Sequence, residues 1–499
     1  MFEYEPVAPP RARRGAREDE PESGWSDAFG READSPDQKF GADGGGGRDS
    51  NAAAVARTRG GGGGLLKRGH SLVYAGLFLF TFVLYFRPYE YLPLPSTLAF
   101  WVAVATLAVY VPSQLAVEGT LTVRPREVNL VLLLAVLALV SIPLAISPGE
   151  AWKTFNEPFL KVVLMFIVVV NAVRTERRLH GLLFLALAVS CTLSVGAISD
   201  FRSGNFTVEG YRVTGLIGGM FGNPNDLALH LSTMVPLALA LLLAARGGVR
   251  KLIYAAAALL FVGAIIVTYS RGGFLGVSCA ALVLMWKAGR RNRFAVLALG
   301  AVALVAVLLL APGSYSERIV SIVDFAKDPM GSATMRQQLF WRSVFVALRN
   351  PFFGVGIGNF HFTSIREQES HNAFTQVAAE LGFAALVVYA LLILTTLKSL
   401  RRVERETDGD GRRRPRLYYL SVGLQASLVG YIVSSCFASV AYHWYLYYLV
   451  GYSVAVSRMH AARAAAETKT AREAIGARGE PDDGGAARVP LERPTGAAA

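Results

Sequence analysis

A polar stretch opens one of the most apolar segments of the chain, where SHNAFTQVAAELG at 370–382 leads into FAALVVYALLILTTL. Asn372, Gln376 and Glu380 follow one another at intervals of four residues, so they form a stripe on one face of a helix. His371 stands at the start of that stripe, and a neutral imidazole can take up a proton near physiological pH. The pattern predicts a general base, His371, supported by Asn372, Gln376 and Glu380. A histidine that only caps or packs fits the same position.

A second polar segment, GYRVTGLIGGMFGNPNDLALH, has the features of a capped helix start. Asn223 suits the N-cap position and Pro224 suits the first helical position. The unpaired N–H groups and positive dipole end of such a helix can hold an anion, and the preceding glycines let the backbone approach a ligand. With Arg212 just upstream, Asn223 and Asn225 are predicted to bind an anionic substrate. The alternative is a plain capped helix after a flexible lead-in.

Two further arginines are candidates for anion binding. Arg271, in TYSRGGFLG, is predicted at the outer end of a span, where it either reaches lipid headgroups or binds a ligand. The segment TMRQQLFWRSVFVALRNP (334–351) predicts an interfacial amphipathic helix with a capping box at Thr334. Arg336 in its first turn opposes the helix dipole, which indicates an external anionic partner unless the side chain is simply solvated. The run GVGIGNF (354–360) is expected to form a tight turn over the pocket.

Membrane helices must position these residues. The 499-residue chain is 53% hydrophobic and only 17% charged, with a mean hydropathy of +0.38, which is typical of a polytopic membrane protein. The net charge of +13 does not indicate a nucleic-acid partner, because the basic residues lie mostly between apolar segments and set orientation. The three cysteines lie inside apolar segments and are too scattered for a disulfide framework or a metal site.

About twelve apolar segments are near the length that a bilayer requires, which predicts an all-α fold. The predicted spans are 72–87, 98–112, 128–147, 158–173, 180–198, 224–245, 251–269, 272–288, 294–311, 372–398, 417–437 and 440–457. Lysine and arginine are concentrated in one alternate set of short loops, including the run 401–416. The positive-inside rule therefore places that set of loops and both chain termini in the cytoplasm.

The predicted organisation has three parts: a disordered cytoplasmic tail at 1–70, a transmembrane domain at 71–458, and a mostly disordered cytoplasmic tail at 459–499. A large extracytoplasmic loop at 312–371 carries the amphipathic helix. The polar segments therefore face outward, where ATP is absent. A reaction there must use an already activated substrate, such as a sugar linked to a lipid pyrophosphate.

The motifs FGNPNDLA, YSRGG, the helix from Arg336 to Trp341, GVGIGNF and HNAFTQVAAELG occur in an order that resembles the O-antigen ligase and Wzy-type polymerase superfamily, best over about 200–390. The resemblance implies transfer of a glycan from undecaprenyl pyrophosphate to an acceptor glycan or glycolipid at the outer face of the bacterial cytoplasmic membrane. It implies that Arg212, Arg271 and Arg336 hold the pyrophosphate and that His371 is the general base. No metal or other cofactor is expected.

Elementary chemistry agrees with that resemblance. Cleavage of a sugar–pyrophosphate bond releases negative charge, which fixed arginines and a helix amino end can stabilise. A lipid-linked sugar transporter is the non-enzymatic alternative, although the sequence shows no repeat and few charges within spans. A metal-dependent glycosyltransferase is a third reading, but the early outer loop RPYEYLP offers only Glu90 as a carboxylate.

Overall fold

The computed structural model describes residues 70–288 apart from 216, the single residue 294, and residues 332–409 and 414–478. The predicted tail at 1–70, apart from His70, lies outside this part of the chain. So do nearly all of the predicted span at 294–311 and the first part of the predicted outer loop. The predicted carboxyl-terminal tail is described as far as Arg478.

The described residues form an all-helical structure, apart from one isolated β-bridge between Val208 and Arg212. The helices are α1 (His70–Phe86), α2 (Leu98–Glu118), α3 (Arg126–Ser141), α4 (Pro148–Thr154), α5 (Leu160–Ala172), α6 (Glu176–Arg202), α7 (Pro224–Ala244), α8 (Gly248–Val267), α9 (Arg271–Ala288), α10 (Ser332–Arg349), α11 (Ala373–Thr407), α12 (Arg416–Ser435) and α13 (Trp444–Arg478). A π-helical turn, Phe155–Phe159, joins α4 to α5.

The helices agree with a membrane protein. Seven segments of the described chain are long and apolar enough to cross a bilayer, and α1 is a shorter apolar helix. The seven are Leu98–Glu118, Pro148–Ala172, Glu176–Arg202, Pro224–Ala244, Gly248–Val267, Ala373–Thr407 and Arg416–Ser435. Every predicted span within the described residues overlaps a helix, although α3 ends at Ser141, six residues before the predicted end at 147, and α13 begins at Trp444 rather than at 440. The count of about twelve spans stays a prediction.

Small residues and hydroxyls bring α7, α9 and α12 into close contact at the centre of the described structure. A β-carbon on Gly276 would lie 1.9 Å from Ser434 Oγ, so α9 and α12 approach as closely as a glycine allows. Ser232 Oγ and Ser434 Oγ are 3.1 Å apart, and Ser427 Oγ donates to Thr233 O at 2.7 Å. This packing places the amino ends of α7 and α9 side by side.

The helix α11 is broken at Gly382, whose φ of +83° is not helical. The carbonyls of Ala379 and Glu380 accept hydrogen bonds from Val355 N and Gly356 N, both at 2.9 Å. A loop thus supplies the N–H donors that these carbonyls lose at the break in the helix. Buried backbone groups in a membrane protein need such hydrogen-bond partners.

That loop is the GVGIGNF run, and its predicted position over the pocket is wrong. Ile357 N donates to Ser141 Oγ at 3.3 Å, and Asn359 Oδ1 accepts from Ser147 N at 2.7 Å. The run therefore packs between the break in α11 and the segment that follows α3. Its glycines allow close backbone contact within the protein, since a β-carbon on Gly356 would lie 2.2 Å from Ala145 Cβ.

A helix is present where the amphipathic helix was predicted, as α10, but it begins at Ser332 rather than after Thr334. Its position at a membrane interface stays a prediction. Thr334 therefore lies inside the helix and is not its N-cap. Leu339, Val346 and Ala347 are buried, and α10 packs against α11. The contact fixes the position of Arg336 relative to the start of α11.

Candidate functional site

A polar pocket of about 380 Å³ lies where the amino-terminal parts of α7 and α10 meet the segment before α11. Its lining residues are Val208, Glu209, Arg212, Gly222, Asn223, Pro224, Asn225, Met335, Arg336, Arg366, Gln368 and His371. Five of the predicted site residues are among them, namely Arg212, Asn223, Asn225, Arg336 and His371. Residues far apart in the sequence therefore converge on one cavity.

Arg212 is held in a fixed direction. Its side chain is buried, Nε donates to Thr268 O at 2.9 Å, and Nη2 donates to Asn225 Oδ1 at 2.9 Å. Glu209 Oε1 lies 3.7 Å from Nη1, so a carboxylate shares the guanidinium. An arginine fixed by several partners loses little further freedom when it binds an anion.

The amino end of α7 faces the same pocket. Asn223 is its N-cap, as predicted, and its Oδ1 accepts from Asn225 N at 2.8 Å. Pro224 occupies the first helical position. Pro224 has no N–H, and Asp226 N and Leu227 N both donate to Asn223 O, at 3.1 and 3.0 Å. The start of this helix therefore offers the cavity the positive end of the helix dipole rather than unpaired N–H groups.

Arg271 lies beside this pocket without lining it. It begins α9, is 7% exposed, and follows Ser270, whose Oγ donates to Asn225 Oδ1 at 3.0 Å. The same hydroxyl accepts from Gly273 N at 3.3 Å, which caps α9. Asn225 therefore couples the Arg212 side chain to the start of the helix that carries Arg271.

His371 has an unusual backbone conformation at the opposite wall of the pocket, with a φ of +50°. Its N–H donates to Ser439 Oγ at 2.9 Å. Burial first, and the nearby Arg336 charge second, lower the pKa of His371 to about 4. The imidazole is therefore neutral at physiological pH and has a lone pair for a proton.

Asn372, Gln376 and Glu380 do not act as one group. Asn372 is the N-cap of α11, and its Oδ1 accepts from Phe374 N and Thr375 N at 2.9 and 3.1 Å. Because Asn372 is adjacent to His371, this cap fixes the point where the helix begins.

The other two residues of the stripe contact neighbouring segments. Gln376 Oε1 accepts from Ala441 N at 3.5 Å, and Glu380 Oε1 accepts from Phe360 N at 3.3 Å. Neither residue is among those that line the pocket in the described chain. Gln376 contacts the segment that also carries Ser439, so it supports His371 only through that segment.

Sequence reasoning missed Arg366, Gln368 and Glu209, which also line the pocket. Arg366 has a φ of +56° and is exposed. A usable signal existed, because Arg366 is a basic residue in the predicted outer loop, as Arg336 is. Nothing in the local pattern indicated that its backbone turns toward the cavity.

Glu90, in the loop predicted to face outward, is engaged by neighbouring residues. Its carboxylate lies 2.8 Å from Arg87 Nη1 and accepts from Gly218 N at 2.9 Å. It thus holds the loop that leads to Asn223. Within the part of the chain that the structure describes, no group of three or more His, Cys, Asp and Glu residues could hold a metal ion.

The fold and the site define a polytopic helical membrane protein with an arginine-rich pocket at the ends of its helices. Residues 256–390 match the family model described as O-antigen ligase, which assigns this part of the chain to the O-antigen ligase superfamily. The resemblance that the motifs indicated is thereby confirmed for residues 256–390, while the FGNPNDLA motif lies outside the matched region.

A second comparison is shorter. The chain is 32% identical over 111 residues to the probable peptidoglycan glycosyltransferase FtsW of Aliivibrio salmonicida (strain LFI1238). The match spans 22% of this chain and 27% of that relative's length, so it covers only about a quarter of either protein.

Proposed function

We propose that the chain is a membrane glycosyltransferase that moves a glycan from undecaprenyl pyrophosphate to an acceptor hydroxyl on the extracytoplasmic face. The observation that carries this proposal is the convergence of Arg212, Arg336, the amino end of α7 and His371 on one pocket. The O-antigen ligase match over residues 256–390 supports it, and the similarity to a probable peptidoglycan glycosyltransferase is compatible with it. The proposed product of this transfer is a cell-surface polysaccharide.

In the proposed reaction, the acceptor oxygen forms a bond to the anomeric carbon while the bond from that carbon to the pyrophosphate oxygen breaks. The released pyrophosphate gains negative charge, which Arg212, Arg336 and the positive dipole end at the start of α7 would stabilise. Arg271, at the start of α9, would add positive charge beside the pocket. Asn223, as the N-cap, and Asn225, as the acceptor for Arg212, would hold the start of α7 and the Arg212 side chain in fixed positions relative to each other.

The acceptor hydroxyl must lose its proton, and His371 would accept it. With a pKa of about 4, held there by burial and by the Arg336 charge, the histidine is a weak base in the unliganded pocket. A bound pyrophosphate would offset the Arg336 charge and raise the pKa of His371, so the base would strengthen when the donor binds. This scheme requires no metal ion.

The proposed topology places the pocket outside the cytoplasm. With about twelve spans and both termini inside, the amino ends of α7, α9 and α11 face outward, and the lysine- and arginine-rich loops face the cytoplasm. The tails at 1–70 and 459–499 would then be cytoplasmic, and the transmembrane domain would comprise 71–458. We propose the bacterial inner membrane as its location.

The mutational test uses membranes that contain the full-length chain. We expect His371→Ala and Arg271→Ala to abolish glycan transfer while both variants insert at normal levels. Full transfer by His371→Ala would refute the assignment of the base.

A Wzy-type polymerase is the closest alternative, because it differs only in the acceptor. The lipid-linked and surface glycans of a deletion strain distinguish the two. Full-length chains that stay on the lipid carrier indicate a ligase, whereas products with a single repeat unit indicate a polymerase.

A transporter or flippase would need a polar path through the middle of the helices. The pocket instead lies at the ends of α7, α10 and α11, which favours an enzyme. Transport of a lipid-linked glycan by purified protein in vesicles, without any transfer to an acceptor, would support the transporter.

A further inference from the structure

A second cavity, of about 600 Å³, lies at the opposite end of α11 from His371. It is formed where the carboxyl-terminal part of α9, the carboxyl-terminal part of α11 and the middle of α12 meet. Leu282, Leu397 and Val429 provide apolar lining, and Lys287, Arg401 and Arg405 provide basic lining. The cavity is therefore amphipathic, and it is separate from the polar pocket.

One of its basic groups belongs to a buried network. Lys287 Nζ donates to Glu404 and to Gln425 Oε1, the latter at 3.0 Å, and Gln425 Nε2 donates to Glu404 Oε2 at 3.0 Å. Glu404 and Gln425 are buried. Glu404 is thus ion-paired with Lys287. The positive charge at the opening of the cavity comes from Arg401 and Arg405, which are both exposed and one helical turn apart.

The basic surface continues around α11. An adjoining cavity of about 1050 Å³ is lined by Arg126, Lys398 and Arg402 and shares Arg401 and Arg405 with the first. Arg402 is paired with Glu406 at 2.8 Å, so this part of the surface is less positive. The strongest positive charge therefore lies at the shared rim, on Arg401 and Arg405.

An apolar ridge leads along α11 to that rim. Val387, Leu391 and Leu394 are 56%, 43% and 59% exposed, and they recur at helical spacing toward Arg401. Arg401 lies ten residues beyond Leu391, or about 15 Å along a helix. This distance is about half the roughly 30 Å hydrocarbon core, so the ridge matches one lipid leaflet.

We propose that this cavity binds the phosphate headgroup of an anionic glycerophospholipid, with Arg401 and Arg405 at the phosphate and an acyl chain along the ridge. Charge complementarity selects an anionic headgroup, and basic pockets between membrane helices suit such headgroups. The ridge selects a lipid rather than a free anion, since inorganic phosphate would gain nothing from Leu391 and Leu394. This proposal is independent of the proposed transferase activity.

The test measures the thermal unfolding midpoint of the purified full-length chain in a neutral detergent. Dioleoylphosphatidylglycerol, dioleoylphosphatidylcholine or inorganic phosphate is titrated into wild type and into Arg401→Ala/Arg405→Ala. The matched control is Arg124→Ala/Lys251→Ala, which removes two exposed basic residues outside the cavity. Should the double variant give no cooperative transition, the single Arg405→Ala takes its place.

We expect phosphatidylglycerol to raise the midpoint of wild type and control alike. The concentration for half of this effect should rise roughly tenfold or more in the cavity variant, because two basic contacts are lost. An equal response of wild type and the cavity variant would overturn the site. Stabilisation of wild type by phosphatidylcholine or by inorganic phosphate to the same extent would overturn the choice of an anionic lipid.

Discussion

The backbone N–H of His371 donates a hydrogen bond to the side chain of Ser439, with N and Oγ 2.9 Å apart. His371 has a φ of +50°, a left-handed conformation that is uncommon for a residue with a β-carbon. The contact with Ser439 therefore helps to hold a backbone that would otherwise relax. Ser439 belongs to the segment that Gln376 holds through Ala441 N, so two residues outside the pocket hold the backbone of His371 in place.

Ser439 is the first residue we would test as a positioning residue. We expect Ser439→Ala to lower kcat for glycan transfer by roughly tenfold to a hundredfold, with little change in KM for the donor, because His371 loses alignment but the arginines do not. Ser439→Thr keeps the hydroxyl and should restore part of the rate. Ser421→Ala is the control, since among the described residues that buried hydroxyl bonds to Tyr418 O in its own helix and to no other residue. Unchanged kcat in Ser439→Ala would contradict this role.

Arg212 should not tolerate lysine. Its guanidinium donates in two directions, to Thr268 O and to Asn225 Oδ1, and a single ammonium group cannot reproduce that fork. We expect Arg212→Lys to lose roughly a hundredfold in kcat/KM for the lipid-linked donor while keeping its level in the membrane. Arg202→Lys, an exposed arginine at the end of α6, serves as the control. Full activity of Arg212→Lys would show that only its charge matters.

Local sequence signals predicted the parts of the site that depend on local backbone chemistry. Asn223 was predicted as an N-cap because its side-chain oxygen can accept from an N–H in the first helical turn. Asn372 is also an N-cap, but the sequence analysis predicted only that it supports His371. The prediction that Arg212, Arg336 and His371 share a site followed from the motif order. Motif order alone does not show that these residues lie close together in space. Their convergence depends on how α7, α10 and α11 pack, and that is a long-range property.

The stripe of Gln376 and Glu380 shows the limit of periodicity. Spacing of four residues predicts that side chains share a helix face, but it does not say which neighbour covers each position. Here Gln376 meets Ala441 and Glu380 meets Phe360. The GVGIGNF run was misplaced for the same reason, because its glycines indicate close approach without identifying the partner.

The pH dependence of transfer should report the environment of His371. Burial and Arg336 hold the pKa of His371 at about 4, so the free enzyme should keep its base neutral until the pH falls toward that value. We expect the acidic limb of kcat/KM to lie well below pH 6.5, the ordinary histidine pKa.

Arg336→Gln removes a positive charge near His371, so it should raise the pKa of His371 and move the acidic limb of kcat/KM to higher pH.

The same shift affects stability. Between pH 6.5 and about 4 the unfolded chain takes up a proton that folded His371 does not, so stability should decrease as the pH is lowered through this window.

Arg342→Gln is the control for the pH dependence of kcat/KM, since Arg342 Nε donates to Thr363 O and Arg342 does not line the pocket. Identical acidic limbs in wild type and Arg336→Gln would rule out an effect of Arg336 on the base.

The break in α11 should be intolerant of a side chain at Gly382. Its φ of +83° and ψ of 176° are accessible essentially only to glycine, and an added β-carbon would lie 2.4 Å from Phe352 O. We expect Gly382→Ala to lower the unfolding free energy of the purified protein by about 2 kcal/mol or more, measured by thermal or denaturant unfolding.

The matched control for this substitution lies two residues beyond the end of the same helix. Gly409→Ala places a methyl group where no atom lies within 4 Å, and it should leave stability unchanged. Because the break lies in the helix that begins just after His371, and because it binds the GVGIGNF run, Gly382→Ala should also reduce glycan transfer. A Gly382→Ala protein as stable as Gly409→Ala would show that α11 can close into a continuous helix, and that the loop at 351–356 is not required to satisfy its carbonyls.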